Sequence, residues 1–380
     1  MKIVQITTDS REHFKDYDRP EPYFGTAPEA LLSGFSGMPG IEIHVVSCVR
    51  QPVASPEKIA GNIFYHSLNV SKSGWMSTGY QGCFRAVRSL LAGLRPDIVH
   101  GQGTERDCAM DAVHSGFPNV LTIHGNMREL QRLGLHGHPL FGRLASMLET
   151  HAMKRSLGVF CNSAYTRSLV APRARATWLV PNAIRAEFLN SPKTGTPEPG
   201  IPQLLNVGLI GPRKRQLEIL RTVGEVVKAG HPMKILFVGG LSEHTPYGKA
   251  FADELRIAEA AGYAEYAGFL SAGELIDLMD QSQGFIHFPS EEAFGLVVAE
   301  AMARGLKFFG ANLGGIVDIA QEIPGAELHE SFEGLKAGLA AWAKSGASRT
   351  PDAATEIAAR YAPEVVARSH IDIYQNLLGK

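Results

Sequence analysis

Short apolar runs alternate along this chain with longer stretches of helical periodicity. Residues 3–6, 42–47, 97–100, 120–124, 159–162 and 178–180 have the length and composition of strands, and helix-like segments lie between several of them. The alternation resumes in the second half, with strands predicted at residues 204–207, 234–238, 284–288 and 307–309. Strand and helix in alternation predict parallel sheets covered on both faces, an α/β architecture. Between the two series, residues 190–202 read N-S-P-K-T-G-T-P-E-P-G-I-P. Prolines that cannot continue a helix and a low apolar content make this the linker candidate. Residues 363–378 close the chain as a helix, and no internal repeat or low-complexity tract is present.

At 380 residues the chain suits two domains, each able to bury most of its apolar surface. A formal net charge of -1 gives no whole-molecule field that would favour nucleic acid or an acidic partner. Cys48, Cys83, Cys108 and Cys161 are far apart and form no C-x-x-C pair, so they read as reduced, mostly buried thiols. Neither a disulfide framework nor a zinc site is expected from that spacing. The amino terminus runs directly into a strand pattern, and no apolar run is long enough to span a bilayer. A soluble, cytoplasmic protein is expected.

The most informative stretch is residues 289–305, P-S-E-E-A-F-G-L-V-V-A-E-A-M-A-R-G. The apolar run before it and the helix formers after it read as strand, loop and helix, which puts Glu292 at the carboxyl end of a strand. Phe294, Gly295 and Leu296 open the helix, where free backbone N–H groups and the positive end of the macrodipole attract an anion. Gly295 allows the backbone to approach that anion closely. Glu300, eight residues after Glu292, is expected about two turns into the helix. A phosphate there, flanked by two carboxylates that accept hydrogen bonds from hydroxyls, makes a cradle for a sugar nucleotide.

The spacing Glu292-x7-Glu300, with Phe294-Gly295-Leu296 between, closely resembles the signature of the retaining glycosyltransferases of family 4. Other landmarks follow in that family's order. Residues 96–101 (P-D-I-V-H-G) and 121–125 (L-T-I-H-G) are similar to strand ends of its first domain, and residues 180–183 (V-P-N-A) to its interdomain turn. Asn206-Val207-Gly208 through Pro212-Arg213-Lys214 is similar to its phosphate-binding segment. The resemblance implies the GT-B fold, two Rossmann-like parallel-sheet domains facing across a cleft. Residues 1–185, joined by the C-terminal helix 363–380, would bind the acceptor, and residues 186–362 the nucleotide sugar. It implies transfer of a sugar from a nucleoside-diphosphate donor to an unidentified acceptor hydroxyl with retention of configuration, UDP favoured over GDP or ADP. Glu292 would hold sugar hydroxyls and Glu300 the ribose, while Lys214 and the amides around Phe294, Gly295 and Leu296 stabilise the departing diphosphate. Arg213 or Arg215 would assist Lys214. His124, through its side chain or backbone carbonyl, would face the donor sugar. Gly25 and Gly208 would let backbone approach the donor. No metal and no cofactor beyond the nucleotide-sugar co-substrate are implied.

Two departures from the family pattern stand out: Leu209 replaces a frequent arginine, and Gly25-Thr26 replaces a glycine pair. His100 is a second histidine of interest at a strand end, and residues 11–22 read either as an acceptor lid or as a solvated loop. Asp16-Tyr17-Asp18 mimics a D-x-D metal motif without its strand context, Gly208-x-x-Gly211 is neither a Rossmann nor a Walker A loop, and His136 with His138 lacks further metal ligands. Residues 139–155 are weakly amphipathic, better explained as a packed surface helix than as a membrane contact, which would be peripheral at most. The competing classes are a non-catalytic sugar-nucleotide binding protein and an epimerase or phosphorylase of the same fold.

Overall fold

Two sheets organise the chain in a computed structural model that describes residues 1–135, 139–191 and 200–380. The first holds eight strands: β1 (Lys2–Ile6), β2 (Glu42–Val49), β3 (Lys58–Ala60), β4 (Ile63–Asn69), β5 (Ile98–Gln102), β6 (Asn119–Ile123), β7 (Val159–Cys161) and β8 (Thr177–Leu179), in the order β3-β4-β2-β1-β5-β6-β7-β8. The second holds six: β9 (Gln203–Val207), β10 (Lys234–Val238), β11 (Ala264–Tyr266), β12 (Gly284–His287), β13 (Lys307–Ala311) and β14 (Ala326–His329), in the order β11-β10-β9-β12-β13-β14. Every neighbouring pair is parallel except β3 with β4. Each order reverses direction once, between β1 and β5 and between β9 and β12. Ligands of open α/β sheets bind outside the carboxyl ends of the strands at such reversals.

The central strands are the ones legible as apolar runs, because helices cover both their faces. β3, β4, β11 and β14 were not expected. They lie at or next to sheet edges, and β3, β4 and β14 are only partly buried, so polar residues interrupt any apolar run.

The chain forms two units, Met1–Arg185 with Tyr361–Lys380, and Ala186–Arg360. The closing helix, Pro363–Leu378, packs on the helix Thr26–Phe35 of the first unit, where a Cβ at Gly34 would sit 2.1 Å from the Pro363 carbonyl oxygen. The second unit starts with a pinned segment: Phe188 is fully buried, and Arg304, ion-paired with Asp280 at 2.6 Å, donates to the carbonyls of Phe188 and Asn190. The chain changes unit at residue 185, before the Pro- and Gly-rich stretch, of which residues 192–199 lie outside the described residues. His136 and His138 also lie outside them.

One expectation requires correction. Residues 11–22 are neither wholly loop nor wholly solvated, since Ser10–Phe14 is a helical turn in which Arg11 and Glu12 are fully buried. Arg11 binds Asp9 through Nε and the guanidinium at 2.8–3.2 Å, Tyr65 donates to Asp9 at 2.6 Å, and Glu12 accepts from Arg50 at 2.9 Å. These pairings make burial of the charges tolerable. Asp16 and Asp18 lie exposed beyond that turn. The helix Pro139–Arg155 is the packed surface helix that was expected, with one side packed and the other exposed. Ala145, Ala152 and Met153 are buried while Leu140 and Met147 are each 69% exposed.

Candidate functional site

In the second unit β9 and β12 flank the reversal of strand order, and each leads into a loop that carries charge. After β9 comes Gly208 to Arg215, and Gln216 braces that loop by accepting from the Gly211 N–H at 3.1 Å and donating to the Leu209 carbonyl at 3.2 Å. After β12 comes Phe288 to Gly295. The two loops are joined directly, as the Ser290 N–H donates to the Arg213 carbonyl at 2.8 Å and Arg213 pairs with Glu291 at 3.1 Å.

Lys214 reaches Glu292 and forms a short ion pair with its Oε2. His287, the last residue of β12, contacts the same oxygen at 2.8 Å. An ionised carboxylate accepts, so His287 carries its proton on Nε2, and the 3.5 Å approach of Lys214 to that nitrogen is then a contact between two donors. His287 Nδ1 is buried and unpartnered. Burial by itself would raise the Glu292 carboxyl, but Lys214 and His287 override it and hold that carboxyl well below the usual carboxylate range. Glu291 moves the other way, pushed up by burial more than Arg213 draws it down. Burial and the nearby Lys214 charge keep His287 neutral by pushing its imidazole down.

The loop after β12 ends at Gly295, whose φ of 101° only glycine adopts readily and which caps the helix Leu296–Ala303. Phe294 is buried just before the cap, and Leu296 is the first helical residue. Glu300 is the fifth residue of the helix, a little over one turn in and not two, because residues 292–295 form the loop. It is buried within the fold. A second glycine pair follows β13. Gly315 donates to the Glu292 carbonyl at 3.0 Å, and a Cβ on Gly314 would stand 2.2 Å from that same oxygen. Sequence reasoning missed Gly314 and Gly315, His287 and Glu291. A Gly-Gly after a predicted strand was the available signal for the first two, whereas His287 sits inside an apolar run with nothing to mark it.

The remaining cations separate. Arg215 adopts a left-handed conformation at φ 58° and lays its guanidinium over the Phe332 ring at 4.5 Å, so Arg213 and Lys214 are the two that meet the β12 loop. Leu209 is 68% exposed and Phe269 80% exposed, and both side chains crowd Gly240 at the carboxyl end of β10.

In the first unit His124 follows β6. Gln102 Nε2 donates to Gln5 Oε1 at 2.8 Å, which leaves Gln102 Oε1 facing His124 Nε2 at 3.1 Å. His124 therefore carries its proton on Nε2, and its Nδ1 is a buried acceptor without a partner. The chain of bonds continues from Gln5 Nε2 to the Tyr374 hydroxyl at 3.2 Å, from that hydroxyl to His100 Nδ1, and from His100 Nε2 to Thr122 at 2.7 Å. His100 is thus a core histidine satisfied on both nitrogens. Burial pushes His124 down to about 4, with Asn182 opposing only part of the shift, and burial likewise takes His370 to about 4. His124, Gln102, Thr122, Asn182 and His370 line one small cavity. The turn after His124 is fixed by Glu105, which accepts from the Gly125 N–H at 2.6 Å. Gly25 caps the helix Thr26–Phe35 at φ -63°, a conformation open to any residue, with its surface exposed. Gly208 hydrogen-bonds the Val238 carbonyl at the end of β10 at 2.8 Å.

Two family models match successive parts of the chain, Glycosyltransferase Family 4 over residues 35–188 and Glycosyl transferases group 1 over residues 190–329. The chain belongs to the family 4 glycosyltransferases. This glycosyltransferase is 24% identical over 326 residues to the 2-deoxystreptamine glucosyltransferase of Streptomyces kanamyceticus, covering 79% of this chain and 80% of that protein. Its fold is similar to that of sucrose-phosphate synthase from Thermosynechococcus elongatus, with TM-score 0.73, 14% identity and coverage of 100% and 99% of the two chains. HepE of Anabaena, solved in complex with UDP and glucose, matches with TM-score 0.70 at 14% identity over 98% of this chain and 99% of that one. The fold is GT-B.

Proposed function

We propose that this glycosyltransferase moves a sugar from a nucleoside-diphosphate sugar, with UDP as the preferred nucleotide, to an acceptor hydroxyl, with retention of anomeric configuration and without a catalytic metal. One observation carries this reading. Lys214, Glu292 and the glycine-capped start of the helix Leu296–Ala303 converge at the carboxyl ends of β9 and β12, where a doubly wound sheet binds its ligand. Lys214 and the helix amides supply positive potential for a diphosphate without an ion, and charge that grows on a leaving phosphate is the demand they meet. A bound diphosphate competes for Lys214 and so frees the ionised Glu292 to accept hydrogen bonds from sugar hydroxyls. Glu300 holds the ribose, and Arg213 supports Lys214. Gly208 and Gly25 give room for close backbone approach. His124, neutral and with Nδ1 unpartnered, keeps an acceptor available for a sugar hydroxyl. The leaving phosphate takes the acceptor proton on the same face of the sugar.

The UDP complex of HepE supports a UDP-sugar donor, and the glucosyl transfer named for the Streptomyces relative supports a hexosyl group. The apolar surface offered by Leu209 and Phe269 suits the flat face of a base. The test is to incubate the chain with UDP-, GDP- and ADP-hexoses, follow nucleotide release, and read the anomeric proton of the product by NMR. Release of UDP with an anomer matching the donor is expected. An inverted product overturns retention, and tight UDP binding without sugar release from any donor points to a non-catalytic binding protein.

A further inference from the structure

Four acidic groups meet in the interior of the first unit, far apart in sequence and outside the nucleotide site. Cys48 lies on β2, Cys83 on the helix Gln81–Leu94, Asp107 at the start of the helix Cys108–Val113 and Asp111 within it. All four are buried, none more than 3% exposed. The thiols of Cys48 and Cys83 and a carboxylate oxygen of Asp107 lie within 4.8 Å of one another. Asp111 joins them, its Oδ2 accepting from Cys48 Sγ at 3.6 Å, while its Oδ1 is buried with no hydrogen-bond partner. The cysteines are not disulfide-bonded. Val46, Val70, Trp75 and Val87 belong to the same apolar cluster, surroundings in which polar groups are costly unless they are paired.

We propose that Cys48, Cys83, Asp107 and Asp111 form a structural zinc site. Two thiolates with carboxylate oxygens are a donor set for a borderline-soft ion, and four protein ligands leave no open position for catalysis. In a tetrahedral zinc centre, ligand atoms stand roughly 3.3–3.8 Å apart, so small side-chain rotations close this cluster on an ion. Binding displaces the thiol protons. With both thiols and both carboxyls ionised, the occupied site carries two net negative charges, and the neighbouring Arg106 guanidinium, whose charge acts on Asp107, offsets one of them. Asp111, which already meets the Cys48 thiol, would turn its side chain to supply the fourth ligand. The ion would tie β2 to the helices Gln81–Leu94 and Cys108–Val113, all within the first unit.

The full-length chain, purified under reducing conditions and desalted, is assayed for zinc by plasma mass spectrometry. A second sample is stripped with a strong chelator and titrated with Co²⁺. The expected result is one zinc per chain and, at one equivalent of Co²⁺, a thiolate-to-cobalt absorption band with visible bands of tetrahedral geometry. Cys83→Ser and Asp107→Asn should each weaken Co²⁺ binding by at least about tenfold and change the band, while UDP still raises the melting temperature as in the wild type. The wild-type measurements stand even if a variant fails to fold. A metal-free wild-type chain whose stripped form gives no cobalt–thiolate band overturns the proposal. So does a band that persists unchanged in Cys83→Ser, or a Cys48–Cys83 disulfide found by peptide mapping.

Discussion

Glu291 and Glu292 are neighbours in sequence with opposite electrostatic fates. Lys214 and His287 keep Glu292 ionised against its burial, whereas at Glu291 burial outweighs the pull of Arg213 and Lys214 and moves it toward its neutral form. Glu292→Gln keeps the shape, removes the acceptor charge and releases Lys214 from its ion pair. It should lower kcat by about 100-fold or more while changing UDP affinity by less than about threefold. Equal losses in turnover and UDP binding would remove Glu292 from the sugar. The histidines make a separate prediction. His124 and His370 protonate near 4 in the folded chain and near 6.5 when unfolded. The unfolded chain therefore binds more protons in that window, and stability falls as pH drops from 6.5 to 4, by up to about 3 kcal/mol per group. Urea midpoints measured across that range check this, and a flat profile would contradict it. Lys214 and Glu292, which the structure brings together, were legible because charge after an apolar run is conspicuous. His287 was not, because a histidine within such a run looks like any core residue until its partner across the loop is known. Cys48 and Cys83, 35 residues apart, gave no spacing signal for the same reason.

At the scale of elements, the loops at the carboxyl ends of β9, β12 and β13 act as one assembly. The β12 loop is held from one side by Arg213 and from the other by Gly315, whose N–H reaches the Glu292 carbonyl. Gly314 turns at φ 56° with no room for a side chain. Gly314→Ala should cost at least about 1–2 kcal/mol of stability for the left-handed backbone, and the clash with the Glu292 carbonyl should displace that carboxylate and lower kcat. Chemical denaturation paired with donor-turnover kinetics measures both effects. Unchanged stability together with unchanged kcat would show that the β13 loop does not position Glu292. The central strands could be read from their apolar runs, and the helices Leu296–Ala303, Pro139–Arg155 and Pro363–Leu378 from helix-forming composition and weak amphipathicity. The edge strands could not, since half-exposed strands carry polar residues that break the pattern, and β4 mixes Phe64 and Tyr65 with His66 and Ser67. The turn Ser10–Phe14 was hidden because a buried Arg11 and Glu12 look like solvated residues until Asp9, Tyr65 and Arg50 are seen around them.

For the whole molecule, the fold persists at 14% identity to solved relatives over nearly the full chain, which places its determinants in the strand–helix pattern and not in particular residues. No helix among the described residues is long and apolar enough to cross a membrane. In the proposed mechanism Lys214 and the helix start take the leaving-group charge, so turnover should not change by more than about twofold when Mg²⁺ or Mn²⁺ is added to metal-free buffer. Strict dependence on either ion would overturn that assignment and return attention to the exposed Asp16 and Asp18. The central claim is that the diphosphate of a nucleotide sugar is held at Lys214, beside Glu292. Isothermal titration of UDP, GDP and ADP into the wild type, Lys214→Ala and Glu300→Ala tests it most directly. The account predicts that UDP binds the wild type, and that each variant loses about 1–3 kcal/mol of that affinity, roughly 5- to 150-fold in Kd. Wild-type protein that binds none of the three nucleotides, or a Lys214→Ala variant that binds UDP as tightly as the wild type, would contradict it.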